Sequence, residues 1–309
     1  MSDGIVKVIL ACDESGAKGY ADQREQYAGE VGVFAGILVP EQLLATTEIA
    51  LEAAIAPYRG KTDKLHIADL PADDKPILRA RVYETIGQLQ LTCFWYAIHV
   101  EGYHRHFQQM NEMIARSFGQ IVPETAAPVL SRDEKHSLHA ELFRGLYSHL
   151  VCFIEENAPG EIEIEVRTDH VERPIAKYFR RVAEHLLNFE PRIEVISGYD
   201  RTNQRVVKRT LRFQSIWPDG LRPSTKVTSL EIKRVSNADP VVVAADVLAN
   251  GLNYHFRTRA EATRYADLNR PNALIGHPLA ERFDVFRNWG GPDICDQLFR
   301  HPNRQPASD

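Results

Sequence analysis

The sequence predicts an α/β fold: a mixed sheet flanked by helices, with a helical insertion. Three observations carry that expectation. Short β-branched and aromatic runs recur along the chain at strand length. Longer segments with a helical period lie between them. The two kinds interleave rather than segregate, which favours one domain over two.

The first strand covers residues 5–14, an apolar run closing in Asp13-Glu14-Ser15-Gly16, where Ser-Gly marks a turn. Residues 17–28 are polar and read as a loop or hairpin. GEVGVFAGILV, residues 29–39, is a second strand region ended by Pro40. Residues 41–56 are alanine-rich and helical, stopped by Pro57 and Gly60. A short polar segment with Lys64 and His66 follows, then a helix over 74–89. LTCFWYAIHV, residues 91–100, is a strand.

Residues 102–118 read as helix and 120–133 as an exposed loop with two prolines. Residues 134–156 form a long helix in which Leu138, Leu142, Leu146, Leu150 and Ile154 recur every four residues, a core-facing stripe. EIEIEVRT, residues 161–168, alternates acid and apolar side chains and ends at Asp169. A helix over 172–188 and a strand over 192–197 follow. Residues 204–216 alternate apolar and basic side chains. Pro240 opens an apolar helix over 241–256. The tail beyond 260 is expected to pack on the surface as an extension, with a disordered end.

Composition narrows the function classes. With 309 residues, 44% hydrophobic and a formal charge of −5, the chain can bury a full core. No run approaches the roughly 18 apolar residues of a membrane helix, and the N-terminus lacks a signal-peptide pattern, so a cytoplasmic protein without membrane partners is expected. Cys12, Cys93, Cys152 and Cys295 are widely spaced and include no C-x-x-C pair. His139-Ala140-Glu141 lacks the second half of a zinc-deaminase signature. Phosphate-loop and serine-hydrolase motifs are absent.

Three acids share a pattern. Asp13 ends one strand, Asp169 ends another, and Asp246 interrupts the helix VVVAADVLANGLNYHF. Asp246, Asn250 and Asn253 share a helix face, which by itself also describes a solvent-facing stripe. Converging carboxylates repel unless a cation or proton intervenes. Oxygen donors suit Mg²⁺ or Mn²⁺, and paired ions serve phosphodiester hydrolysis. Residues 201–234 hold nine basic side chains and two acids, a local excess of seven positive charges that suits a polyanion.

D-E-S-G after an apolar strand, F-A-G-I-L-V next, a later strand ending in Asp169, and A-A-D-V-L-A-N-G-L on a late helix resemble the domain-of-unknown-function 3800 family over roughly residues 5–257. The resemblance implies a ribonuclease H-like fold over residues 1–260, with the insertion at about 102–156 and the extension at 261–309. It implies a divalent-metal-dependent nuclease, with a defence or toxin-like role, and Asp13, Asp169 and Asp246 as catalytic metal ligands with Glu14 beside them. Lys64, His66, Glu141 and His170 are accessory candidates. Arg205, Lys208, Arg209, Arg212, Lys233 and Arg234 are candidates for holding nucleic acid. The chain departs from the family in lacking the glutamine of the late-helix motif, and the fourth acid of a ribonuclease H site has no clear counterpart. A catalytically inactive binding or scaffold protein is the alternative, and a hydrolase of small nucleotide substrates a third reading. Oligomeric state is not legible.

Overall fold

The computed structural model describes residues 5–60, 65–119, 137–169, 176–181, 184, 192–200, 203–213, 226–235, 238–284 and 293–304. Strands β1 (Val6–Gly16), β2 (Val31–Pro40), β3 (Thr92–His99), β4 (Ile162–Thr168) and β7 (Val227–Arg234) form one sheet in the order β3-β2-β1-β4-β7. β1 runs antiparallel to β2, and β2 to β3. β4 runs parallel to both β1 and β7. Strands β5 (Arg192–Asp200) and β6 (Arg205–Phe213) pair only with each other, as a separate hairpin.

Side-chain alternation sorts the strands onto two layers. Ile9 and Ala11, Val33, Ala35 and Ile37, and Cys93, Trp95 and Ala97 face one layer. That layer holds helices α1 (Leu44–Ile55), α2 (Asp74–Gln88) and α5 (Pro240–Arg257), with α5 against β1 and β2. Val8, Leu10, Cys12, Phe34, Phe94 and Tyr96 face the other layer. It holds α4 (Leu138–Asn157), which packs on β2 and β3 with α3 (Val100–Gly119) beside β3. The whole leucine stripe of α4 is buried, from Leu138 to Ile154. The segment expected as an insertion therefore supplies the second helical layer. Residues 120–133, expected as a loop, lie outside the described residues, as do the first three residues of the helix expected over 134–156 and most of the helix expected over 172–188.

The C-terminal segment is a correction. Leu268, Leu274, Leu279 and Phe283 enter the core beside α5. Asn269 covers the exposed edge of β3: its Oδ1 accepts from Ala97 N at 2.8 Å and its Nδ2 donates to Ala97 O at 2.9 Å. Trp95 Nε1 donates to Leu268 O at 2.9 Å, and Asp284 N to Cys93 O at 2.9 Å. The bonds to Ala97 and Cys93 satisfy part of an edge that would otherwise invite pairing with another chain. Helix α6 (Asp293–Leu298) completes the segment, and residues 305–309 lie outside the described residues. Among the described residues, no helix is long and apolar enough to cross a membrane. Cys12, Cys93 and Cys152 are buried.

Candidate active site

β1 and β4 are adjacent and parallel, with Ala11 paired to Arg167. Two residues further on each strand, Asp13 and Asp169 emerge on the same face at the carboxyl ends. α5 crosses this face, and Asp246 is its one acid. The helix is fixed at three points. Asp239 caps its start, accepting from Val241 N at 2.9 Å, and Asp239 Oδ2 accepts from Arg167 Nη1 of β4 at 3.0 Å. Asn250 Oδ1 accepts from Arg79 Nη2 at 2.6 Å. Asn253 Nδ2 donates to Val31 O at 3.0 Å. The polar stripe on α5 is thus bound to protein at each position rather than simply solvated.

Gly16 closes the D-E-S-G turn with φ +84°. A Cβ there would lie 2.2 Å from Asn253 Nδ2 and 2.3 Å from Val31 O. Only glycine admits both the left-handed backbone and the approach of α5.

Asp13 is 5% exposed. Its Oδ1 accepts from Glu14 N at 2.9 Å. Burial, then the charges of Glu14, Asp246 and Asp169, push its carboxyl well above the usual range. Asp169 is raised by burial and by Glu14 and Asp246, against the opposing pull of His66 and Lys18. Asp246 Oδ2 accepts from Ile67 N at 3.0 Å. His66 stands between the two flanking acids, with Nδ1 3.6 Å from Asp246 Oδ2 and Nε2 3.8 Å from Asp169 Oδ2. Asp246, above all, draws the imidazole upward in pKa, against its partial burial.

Glu14 leaves β1 toward the opposite layer. There His139 Nε2 of α4 lies 3.4 Å from its Oε2, and Lys18 Nζ 2.5 Å from its Oε1. Burial opposes its ionisation, but His139 and Lys18 outweigh that and hold the carboxyl far below the usual range. Its charge is still felt by Asp13 and Asp169. The strand parity expected of Glu14 therefore decides its partners, while proximity keeps it in the acidic group.

Other sequence candidates lie elsewhere. Glu141 is buried and paired with Arg144, beside Tyr103 and His106, and not with the acidic group. Lys233 Nζ lies 2.8 Å from a Glu165 oxygen and 3.4 Å from a Glu231 oxygen, so two acids face its charge. Arg205, Lys208 and Arg212 are exposed on the hairpin, and Arg234 is exposed on β7. The Arg209 side chain, Lys64 and His170 lie outside the described residues. Sequence reasoning missed Lys18 and His139 as partners of Glu14, and Arg167 and Asp239 as anchors of α5. Only His139 left a sequence signal, a histidine beside the leucine stripe.

Carboxylates from three separate elements meet here, with the His66 imidazole beside Asp169 and Asp246. Among the described residues, no group of three or more His, Cys, Asp or Glu side chains is placed to hold a metal ion. No protein-family model, curated protein or solved structure matches the chain.

Proposed function

We propose that the protein is a divalent-metal-dependent nuclease or phosphodiesterase on a ribonuclease H-like scaffold, akin to the domain-of-unknown-function 3800 family. One observation carries the reading: Asp13, Asp169 and Asp246, from two adjacent parallel strands and the helix crossing them, converge on one face. The order strand-acid, strand-acid, helix-acid supports the scaffold. Like-charged buried carboxylates that raise one another's pKa are what a hard dication relieves.

Asp13, Asp169 and Asp246 would hold Mg²⁺ or Mn²⁺. Bound there, the ion supplies an activated water and stabilises the leaving oxygen of a phosphodiester. Asp13, set in the rigid centre of the sheet, fixes the donor set. Ile67 N holds one oxygen of Asp246 in orientation. Lys18, on the rim, offsets the surplus negative charge. Lys208 and Arg212 of the hairpin would attract the substrate backbone.

The test is cleavage of labelled RNA, DNA and hybrid duplexes with Mg²⁺ or Mn²⁺. Cleavage is expected with metal, lost in excess EDTA and lost in Asp13→Asn. Unchanged cleavage in Asp13→Asn, or cleavage persisting in EDTA, overturns the reading. A second reading, a catalytically inactive scaffold, draws on the absence, among the described residues, of any group of three or more His, Cys, Asp or Glu placed to hold a metal ion; metal-dependent cleavage excludes it.

A further inference from the structure

We propose that the far half of α5, with Arg79 and Tyr27 packed against it, is a binding surface for single-stranded nucleic acid. The choice of nucleic acid rests on the phosphodiesterase reading above and names its substrate class. The surface itself lies apart from the acids.

Asp246, Asn250, Asn253 and Arg257 recur at i, i+4, i+7 and i+11, so one polar stripe runs along α5 from the acids to its end. Tyr254 flanks it, four residues beyond Asn250. Two arginine–tyrosine stacks stand on this stretch. The Arg79 guanidinium lies 4.9 Å from the centre of the Tyr254 ring, and the Arg257 guanidinium 5.0 Å from that of Tyr27. Tyr254 is 56% exposed, and Tyr27 and Arg257 are exposed as well. Tyr254 and Arg257 are three residues apart, so the two stacks are neighbours on the helix surface.

These two arginines are set apart by their lack of a counter-charge. Arg59, Arg167 and Arg304 each meet a carboxylate at 2.6 or 2.7 Å. Among the described residues, neither Arg79 nor Arg257 has an acid as an ion-pair partner. Arg79 Nη2 donates instead to the neutral amide oxygen of Asn250 at 2.6 Å, and its Nε is buried without an acceptor. Arg257 meets a ring face. The charge of Glu30 also reaches Tyr27, but Glu30 is buried and already accepts from Gln26 N at 2.6 Å.

Unmatched cations beside accessible rings are the elements of a single-strand surface: arginine answers a phosphate, and an exposed ring takes a base on its face. A duplex hides its base faces and an acidic peptide has none, so either would use the cations alone. The acids of the sheet do not cancel this attraction. At about 1.5 Å of rise per residue, Tyr254 stands about 12 Å and Arg257 about 16 Å along the helix from Asp246. Surface charges are screened beyond about 8 Å at physiological salt. A strand held along α5 leads toward the acids.

The test is fluorescence anisotropy of the full chain with a labelled single strand of about 12 nucleotides, as RNA and as DNA, in EDTA so that binding is read without cleavage. Wild type is expected to bind the single strand at least about tenfold more tightly than the duplex of the same sequence. Tyr254→Ala is expected to weaken binding by about 5- to 100-fold, the effect of one lost base stack, while Tyr254→Phe stays within about twofold. Arg257→Ala is expected to weaken it and to lower the salt-dependence slope by about 0.7. Circular dichroism and melting temperature establish that the variants fold. Binding that Tyr254→Ala leaves within about twofold of wild type overturns the proposal, as does a duplex bound as tightly as the single strand. Polyglutamate that competes as well as the unlabelled strand reveals a surface that reads charge alone, and overturns it too. If wild type binds no single strand in EDTA, the proposal falls, while the parent reading is still judged by metal-dependent cleavage. Single-strand binding without cleavage in Mg²⁺ or Mn²⁺ removes the parent reading and leaves the surface standing.

Discussion

Glu165 offers the sharpest test of the electrostatics that brace the site. It lies on β4, on the same face as Asp169, and is 2% exposed. Three cations hold it: Arg167 Nε at 2.7 Å, Lys233 Nζ at 2.8 Å and Lys7 Nζ at 3.1 Å. Burial works against its charge, but Lys233, Arg167 and Lys7 win, and the carboxyl falls from 4.5 to about 2. At about 1.4 kcal/mol per pKa unit, that shift corresponds to at most about 3.5 kcal/mol. The ring of cations is itself partly exposed, so solvent screening brings the expected value nearer 2 kcal/mol. Glu165→Gln removes this contribution.

The sign follows from the depressed pKa. The contribution is full above pH 4.5 and fades as the pH falls toward about 2. Urea unfolding of wild type and Glu165→Gln at a series of pH values gives the difference directly, because other carboxylates cancel between the two. We expect a gap of about 2 kcal/mol at pH 7 that narrows below pH 4.5. A gap that stays constant from pH 7 to pH 3, or that widens on acidification, refutes the reasoning.

Two further outcomes are expected. Gly16→Ala should destabilise by about 2–3 kcal/mol, from about 1 kcal/mol of left-handed strain, a strained Asn253–Val31 hydrogen bond and a clash with Val31 O; a loss under about 0.5 kcal/mol in urea unfolding contradicts the close approach. In fluorescence anisotropy with RNA, the pair Lys208→Ala and Arg212→Ala should reduce the salt-dependence slope by about 1.5–2, whereas Lys233→Ala should leave it unchanged; an equal effect of Lys233→Ala would show that its pairing with Glu165 does not consume its charge.

Regular burial was legible, and irregular burial was not. The stripe of α4 and the alternation of β4 each repeat at a fixed period, so each announces its inner face. β7 escaped because a register shift lies opposite Ile162 and Glu163, pairing them with Val227 and Ser229. The irregularity breaks the two-residue period, leaving Val227, Leu230 and Ile232 facing inward together. The C-terminal segment escaped for a related reason. Leu268, Leu274, Leu279 and Phe283 are spaced without period, and side chains such as Asn269 satisfy the chain's contacts in place of a ladder. Glu141 misled in the other direction: spacing places it on α4, but Arg144, three residues on, captures it.

The three acids were visible as separate residues, and what joins them was not. Convergence depends on two fastenings distant in sequence. Arg167 of β4 binds Asp239, so the strand that ends in Asp169 grips the start of the helix that carries Asp246. Asn253 binds Val31, so the far half of that helix is held to β2, the partner of β1. Between these two points Asp246 cannot drift away from Asp13 without breaking one of them. The like charges push the acids apart while uncharged scaffold and remote ion pairs hold them together. Stability is thereby drawn from groups such as Arg167 and Asp239, leaving the acids themselves in excess of their counter-charges. Were the proposed cation to bind such a site, it would add stability through the linkage that any native-state ligand obeys. The fastening residues should therefore tolerate substitution better in the presence of Mn²⁺ than in EDTA.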